Sequence, residues 1–305
     1  MRADTPPPGL AGAFATDWSF DALGTVWTLT TDTAITPGDR GAVTAELDRL
    51  DRFWSRFRDD SVVADMARRP GRFPIDDADQ PLLDWYRALY TATGGAVSPL
   101  VGQTVADAGY DAGYSLTPAS TIAATPHWAD VIEGHDGALT LRRPALLDVG
   151  AAGKGFAVDR VAGVLSASHT EFVVDGSGDL LVSGRRRPLR VALEHPLDTT
   201  QAIGVAAFTS GSLCASAANR RAWGEWHHIV DPRTSRPADD VLATWAYAPT
   251  ALLADGLATA LFFSRPDALR DALAAAGAEV DFGYVVLRRD GRADYAGVPG
   301  LELFT

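Results

Sequence analysis

A single cysteine, Cys214, occurs in the 305 residues. That excludes a disulfide framework and a thiolate metal cluster. Basic residues are also short: 27 lysines and arginines face 39 acidic residues, for a formal net charge of -12. Such a balance excludes a general nucleic-acid binder, whose phosphate contacts need a basic face. An anionic ligand would then need local help, from a helix N-terminus or a metal ion. Long apolar runs are missing as well, and none approaches the ~20 residues of a membrane span. The start, Met1-Arg2-Ala3-Asp4-Thr5-Pro6-Pro7-Pro8, has one basic residue, then proline, with no apolar signal core or lipobox behind it. The expectation is a cytoplasmic protein with a short disordered lead over 1–16.

What is present is ordinary for a globular chain: 47% hydrophobic and 22% charged residues, enough to bury a sizeable core. The length allows one large domain or two smaller ones. With no internal repeat and no break in composition, 17–305 reads as a single mixed α/β domain.

Trp18-Ser19-Phe20 and Trp27-Thr28-Leu29-Thr30 read as a strand pair around Leu23-Gly24-Thr25. Val43, Leu47, Leu50, Trp54 and Phe57 recur at helical spacing, which predicts a helix over 37–58 with Glu46, Asp48, Arg49 and Arg52 on a solvated face. A second helix is expected over 81–93, with Leu83, Tyr86 and Tyr90 inward and Gly94-Gly95 as its stop. Residues 96–128 are rich in Gly, Ala, Ser and Pro and read as a long loop, functional or poorly ordered. Strands are expected over 138–141, 145–149, 171–175, 180–183, 189–194, 204–208, 241–248 and 282–288, the last closing the chain. Helices are expected over 155–168, from a cap at Thr250 to Phe263, and from Pro266 to Ala276. The Arg185-Arg186-Arg187 run reads as a charged hairpin turn.

Three segments carry chemistry. The first is Asp148-Val149-Gly150-Ala151-Ala152-Gly153-Lys154-Gly155, a glycine-rich turn opening an amphipathic helix. Glycines admit close approach of a ligand, and a helix start with a lysine attracts anions. It is not a P-loop, because Asp148 and Gly155 stand where a glycine and a hydroxyl are needed, and the dinucleotide glycine spacing also fails. A phosphate turn and a plain strand-turn-helix connection both remain open. The second is Ala254-Asp255-Gly256-Leu257-Ala258-Thr259, where Asp255 and Thr259 share one helix face. They suit Mg²⁺ as hard oxygen ligands, or serve the helix itself, the carboxylate at its dipole and the hydroxyl on a carbonyl. The third is Trp226-His227-His228-Ile229-Val230-Asp231-Pro232. A neutral histidine is a candidate general base, yet in a strand only one of the pair can face a given site. No further His or Cys lies at zinc-ligand spacing. Thr209-Ser210-Gly211-Ser212 lacks the nucleophile elbow of a serine hydrolase.

Taken in order, these segments resemble the ApbE family of FAD:protein FMN transferases. Asp148 to Asp159 is similar to that family's Asp-Leu-Gly-Gly-Ile-Ala-Lys-Gly-Tyr-Ala-Val-Asp signature. Thr209-Ser210-Gly211, His228-Ile229-Val230-Asp231-Pro232 and Ser235-Arg236-Pro237 look like its Thr-Ser-Gly and His-Ile-Ile-Asp-Pro block, and Ala254 to Ala260 like its metal helix. The resemblance implies a mixed α/β fold with a T-fold-like module. It implies that FAD binds with its pyrophosphate on Mg²⁺, that a Thr or Ser hydroxyl of an acceptor flavoprotein takes the FMN, and that AMP leaves. Alternatives it leaves are a pyrophosphatase giving FMN and AMP, and a non-catalytic flavin-binding protein. Carried over, Asp255, Thr259, Ala151 and Ala258 are the metal positions, and His228 is the base. Leu23, Phe57, Ala96, Val97, Ser98, Asp148, Lys154 and Val230 fall at flavin-nucleotide contacts.

Departures from the pattern cluster around the flavin and adenosine. Leu23 replaces a methionine, Phe57 a tyrosine and Ala67 an asparagine. Ala96-Val97-Ser98-Pro99 replaces a Phe-Asp-Pro stretch, Gly176-Ser177-Gly178-Asp179 a Gly-Gly-Asp turn, and Leu213-Cys214 polar or aromatic residues.

Overall fold

The computed structural model describes residues 16–134 and 136–304. The expected lead therefore lies outside the described residues, apart from Thr16, which begins the first strand. Strands β1 (Thr16–Ala22) and β2 (Thr25–Thr31) form the expected hairpin, joined by Leu23 and Gly24, both at positive φ (50° and 73°). That is the backbone a two-residue turn between right-twisted strands requires.

Helix α1 (Pro37–Trp54) starts on a capping box in which Thr36 Oγ1 accepts the N–H of Asp39 and the Asp39 carboxylate accepts that of Thr36. It buries Val43, Leu47, Leu50 and Trp54. It ends four residues before the expected limit, because Ser55 is extended and the chain drops to carry Arg56 under the glycine turn. Its outer face is also less solvated than expected: Glu46 pairs with Arg49 and Arg160, and Arg49 reaches the buried Asp79. Short elements follow that carry too few residues for a periodic signal: α2 (Val62–Arg68), β3 (Gly71–Pro74) and a 3₁₀ turn at Asp77–Asp79. Helix α3 (Gln80–Ala92) stops at Gly94 and Gly95, both at positive φ, with Tyr90 only half-buried against Trp128.

The expected 96–128 loop contains a 3₁₀ turn at Pro99–Val101, capped by Ser98, and α4 (Gly102–Asp107). Beyond it lie α5 (Trp128–Val131), β4 (Ile132–Gly134) and β5 (Ala138–Leu141), which form a small sheet in the order β3-β5-β4. The strand expected over 145–149 does not form. Its amides go to isolated carbonyls instead, Ala145 N–H to Met66 and Asp148 N–H to Pro99, so the apolar run is an extended connector.

Helix α6 (Gly153–Leu165) begins two residues before the expected start and ends three before the expected end. Strands β6 (Phe172–Asp175), β7 (Asp179–Ser183), β8 (Leu189–His195), β9 (Asp198–Phe208) and β10 (Gly211–Ala217) follow. Next come short pairs β11 (Ala222–Trp223) with β12 (Trp226–His227) and β13 (Val230–Asp231) with β14 (Arg236–Pro237). β15 (Val241–Ala248) leads through the Thr250 cap into α7 (Ala251–Ala260), three residues shorter than expected, and then α8 (Pro266–Ala275). β16 (Gly283–Arg288) is not the last strand: β17 (Ala293–Ala296) and β18 (Glu302–Leu303) follow it.

The main sheet runs β1-β2-β6-β7-β10-β15-β16-β17, antiparallel throughout. Alternate side chains feed two cores, as the pleat requires. Val174, Cys214, Ala246 and Val286 join the core under α1, α3, α6 and α7. Their neighbours Val173, Leu213, Trp245 and Val285 join a second core under the β18-β9-β8 sheet, with Leu193, Ala206 and Phe208. Both faces being covered explains why these strands lack a polar face.

Helix α7 sits at the centre of the helical layer, and close packing there depends on two glycines. A Cβ on Gly155 of α6 would lie 2.1 Å from the Ala251 carbonyl oxygen, and one on Gly256 would lie 2.3 Å from Trp85 Nε1. Without side chains at those positions, α6 and α3 come down onto α7.

Candidate active site

The glycine turn and α7 are laced together. Asp159 of α6 accepts the N–H groups of Ala251 and Leu252, both at 2.8 Å, satisfying donors at the α7 N-terminus. One turn earlier on α6, the Gly155 N–H donates to Asp255 Oδ2 at 2.8 Å. Thr259 Oγ1 donates to the Ala151 carbonyl at 3.2 Å. The Ala151 N–H in turn donates to the Tyr86 hydroxyl of α3 at 3.1 Å. Two segments a hundred residues apart thus present a carboxylate, a hydroxyl and a carbonyl together.

They open onto a cavity of about 410 Å³. Of the residues singled out in the sequence, Ala96, Val97, Ser98, Asp148, Ala151, Lys154, His228, Val230, Asp255 and Thr259 line it. Three do not. Leu23 sits beside Gly24 and Thr25, which do reach the cavity. Phe57 lies behind the wall, stacked on Tyr114 at 5.2 Å and under the Arg56 guanidinium at 4.2 Å. The Ala258 carbonyl turns away to accept the Thr244 hydroxyl of β15 at 2.6 Å.

Charge in the cavity is unevenly settled. Burial alone would raise the Asp148 carboxyl, but the Arg56 charge and the Gly150 N–H outweigh it and hold the group below the usual range. Arg56 Nε lies 2.5 Å from Asp148 Oδ2, and Gly150 N–H 2.7 Å from Oδ1. Burial, reinforced by the negative charge of Asp179, pushes Asp255 well above the carboxylate range. Asp179 is fully buried, and neither of its oxygens has a hydrogen-bond partner. Lys154 Nζ lies 3.2 Å from Asp179 Oδ2 and donates to the Ser177 carbonyl at 2.9 Å.

The two histidines part where β12 ends, His227 being its last residue and His228 lying beyond it. His227 accepts the Ile229 N–H at Nδ1 and meets the Ala238 carbonyl at Nε2, so it is committed to structure. His228 faces the cavity; its Nδ1 is sealed from solvent and has no partner. Burial, then the nearby Arg221 charge, brings its pKa down to about 3, so the ring is neutral at pH 7.

The donor set tests well for a hard divalent cation. Carboxylate, hydroxyl and backbone carbonyl are oxygen ligands suited to Mg²⁺, and the buried Asp179 carboxylate, whose oxygens have no hydrogen-bond partner, lines the same cavity. Among the described residues, no group of three or more His, Cys, Asp or Glu side chains is arranged to hold a metal by itself.

The sequence reading passed over Arg56, Tyr86, Arg221 and Asp179 as site residues. Arg56, Tyr86 and Arg221 reach the site only through tertiary folding. Asp179 had a local signal, a carboxylate directly after the Gly176-Ser177-Gly178 turn.

Fold and site define a class: a two-core α/β domain with a glycine turn closed against an acidic, hydroxyl-bearing helix. The ApbE family model matches residues 23–282. The chain belongs to the ApbE family. A FAD:protein FMN transferase of Klebsiella pneumoniae is 27% identical over 285 residues, covering 85% of this chain and 81% of that protein. One from Treponema pallidum is 30% identical over 241 residues, covering 68% and 66%. Among solved structures, the ApbE protein of Thermotoga maritima superposes with a TM-score of 0.78 at 21% identity, covering 92% of this chain and 96% of that one. The flavin transferase ApbE of Vibrio cholerae does so at 0.74 and 20%, covering 92% and 97%. At that identity the likeness shows the fold.

Proposed function

We propose that this chain is a Mg²⁺-dependent flavin transferase, which moves FMN from FAD to a Thr or Ser hydroxyl of an acceptor protein and releases AMP. The observation that carries the reading is the meeting of Ala151 O, Asp255 and Thr259 at one cavity with Lys154 and His228. Relatives named FAD:protein FMN transferase support the same class of reaction.

Asp255, Thr259 and the Ala151 carbonyl are the residues that would hold Mg²⁺, which supplies neutralising charge to a pyrophosphate when bound. The acceptor hydroxyl oxygen forms a bond to the FMN-side phosphorus, and the bond from that phosphorus to the bridging oxygen breaks, so that AMP departs with this oxygen. His228 Nδ1 or Nε2 takes the hydroxyl proton. Its neutral ring is ready to accept, and a pyrophosphate anion beside it offsets Arg221 and raises its basicity. Lys154 places a positive charge against developing phosphate charge. Asp148, fixed by Arg56, offers a hydrogen-bond acceptor to the nucleotide. In phosphoryl transfer, such positioning and charge placement do most of the work.

The test is incubation with FAD, Mg²⁺ and an acceptor peptide carrying an Asp-x-x-Ser/Thr-x-Ala-Thr motif. Fluorescent FMN bound to the peptide, with equimolar AMP, is the expected result. FMN and AMP without adduct would instead assign a pyrophosphatase. FAD left intact would leave a flavin-binding protein.

A further inference from the structure

The Mg²⁺ reading uses one carboxylate, Asp255, but the structure holds a second that it leaves unexplained. Asp179 opens β7, lines the same cavity and is fully buried. Neither of its oxygens accepts a hydrogen bond. A buried carboxylate in that condition is costly unless a positive charge answers it. Among the described residues, Lys154 is the cation in ion-pair reach of it, at 3.2 Å. The same lysine is partly exposed, and its firmer contact is the Ser177 carbonyl at 2.9 Å. Asp255, the carboxylate of the Mg²⁺ reading, lines the same cavity, as does Lys154. The cavity wall thus carries both of these carboxylates and one ammonium group, paired with Asp179.

We propose that Asp179 is a charge-balancing residue of the cation centre, with Lys154 as its counter-ion in the empty cavity and the divalent cation as its counter-ion in the loaded one. This rests on the Mg²⁺ reading above. Lys154 is then released from Asp179 when a cation arrives and becomes available to the phosphates. A role in fold stability alone would have paired the Asp179 oxygens with backbone N–H groups, as Asp159 is paired on α6.

Melting temperature as a function of Mg²⁺, alone and with ADP, tests this without any turnover. Asp179→Asn should leave the metal-free melting temperature unchanged or higher, and raise the Mg²⁺ concentration for half-maximal stabilisation by about 10-fold or more. Lys154→Met should lower the metal-free melting temperature and show a larger gain on adding Mg²⁺, because the cation then answers both carboxylates. Asp179→Asn with an unaltered Mg²⁺ midpoint would overturn the proposal. So would a lowered metal-free melting temperature with the Mg²⁺ response intact, which is the signature of a purely structural residue. Should Asp179→Asn fail to fold, Lys154→Met decides, and an unchanged Mg²⁺ response there would count against the proposal. Wild-type protein with no Mg²⁺ response even with ADP present would instead remove the Mg²⁺ reading itself, and this proposal with it.

Discussion

His228 and Asp255 carry opposite burdens in one cavity, and each can be tested by a single substitution. His228 is held neutral, with a pKa of about 3 against an ordinary 6.5. The unfolded chain therefore binds a proton between those values that the fold does not. Its neutral burial is fully compatible with folding above pH 6.5, and stability is lost as pH falls through that window towards 3. Melting temperature should thus fall on acidification from pH 7 to pH 4, and His228→Asn should flatten part of that fall. An unchanged slope would mean that the ring is not sealed. The same variant should slow FMN transfer by about 10²-fold or more while leaving FAD binding intact. For Asp255→Asn, Mg²⁺-stimulated activity should drop by at least about 10²-fold, with far-ultraviolet circular dichroism unchanged. Full activity would sink the metal assignment.

At the scale of elements, the site depends on how α6 and α7 are clamped. Asp159 joins them through two 2.8 Å hydrogen bonds, so Asp159→Ala should destabilise by about 1–3 kcal/mol, as loss of a helix cap with orphaned donors does. Denaturant unfolding checks this, and a loss under about 0.5 kcal/mol would show the clamp to be unimportant. Gly155→Ala sets a methyl group against the Ala251 carbonyl and Asp255 Cβ. It should cost about 1–3 kcal/mol or more and weaken Mg²⁺ binding together with stability, since the two segments must separate. These elements were largely legible in the sequence. The β1–β2 hairpin, α1 periodicity, the strand at 241–248 and the Thr250 cap all carry their local signal. What misled were connectors. Residues 145–149 have a strand's composition but no neighbour to pair with, and 55–58 continue α1's pattern while Arg56 is drawn to Asp148. Elements of two to seven residues, such as α2 and β18, hold too few positions to show a period.

For the whole molecule, the cavity-lining groups were legible where they sit in local motifs and illegible where charges meet across the fold. Asp255 and Thr259 announce each other four residues apart, and the family resemblance joins them to Ala151. Arg56 beside Asp148, and Asp179 beside Lys154, are juxtapositions that no spacing encodes. With a net charge of -12, the proposed function needs local cations and a divalent ion to hold an anionic substrate. ADP with Mg²⁺ should therefore raise the melting temperature, and chelation of the metal should abolish the gain. ADP that stabilises equally well in the presence of a chelator would assign the anion site to Lys154 and the glycine turn alone.

The most direct measurement is a crystal of the protein grown with FAD and Mn²⁺ in place of Mg²⁺, with anomalous scattering used to locate the ion. An anomalous peak bonded to the Ala151 carbonyl, Asp255 and Thr259, with the pyrophosphate of FAD on its open side, is the predicted result. A pyrophosphate bound in the cavity with no metal at those three groups would contradict it.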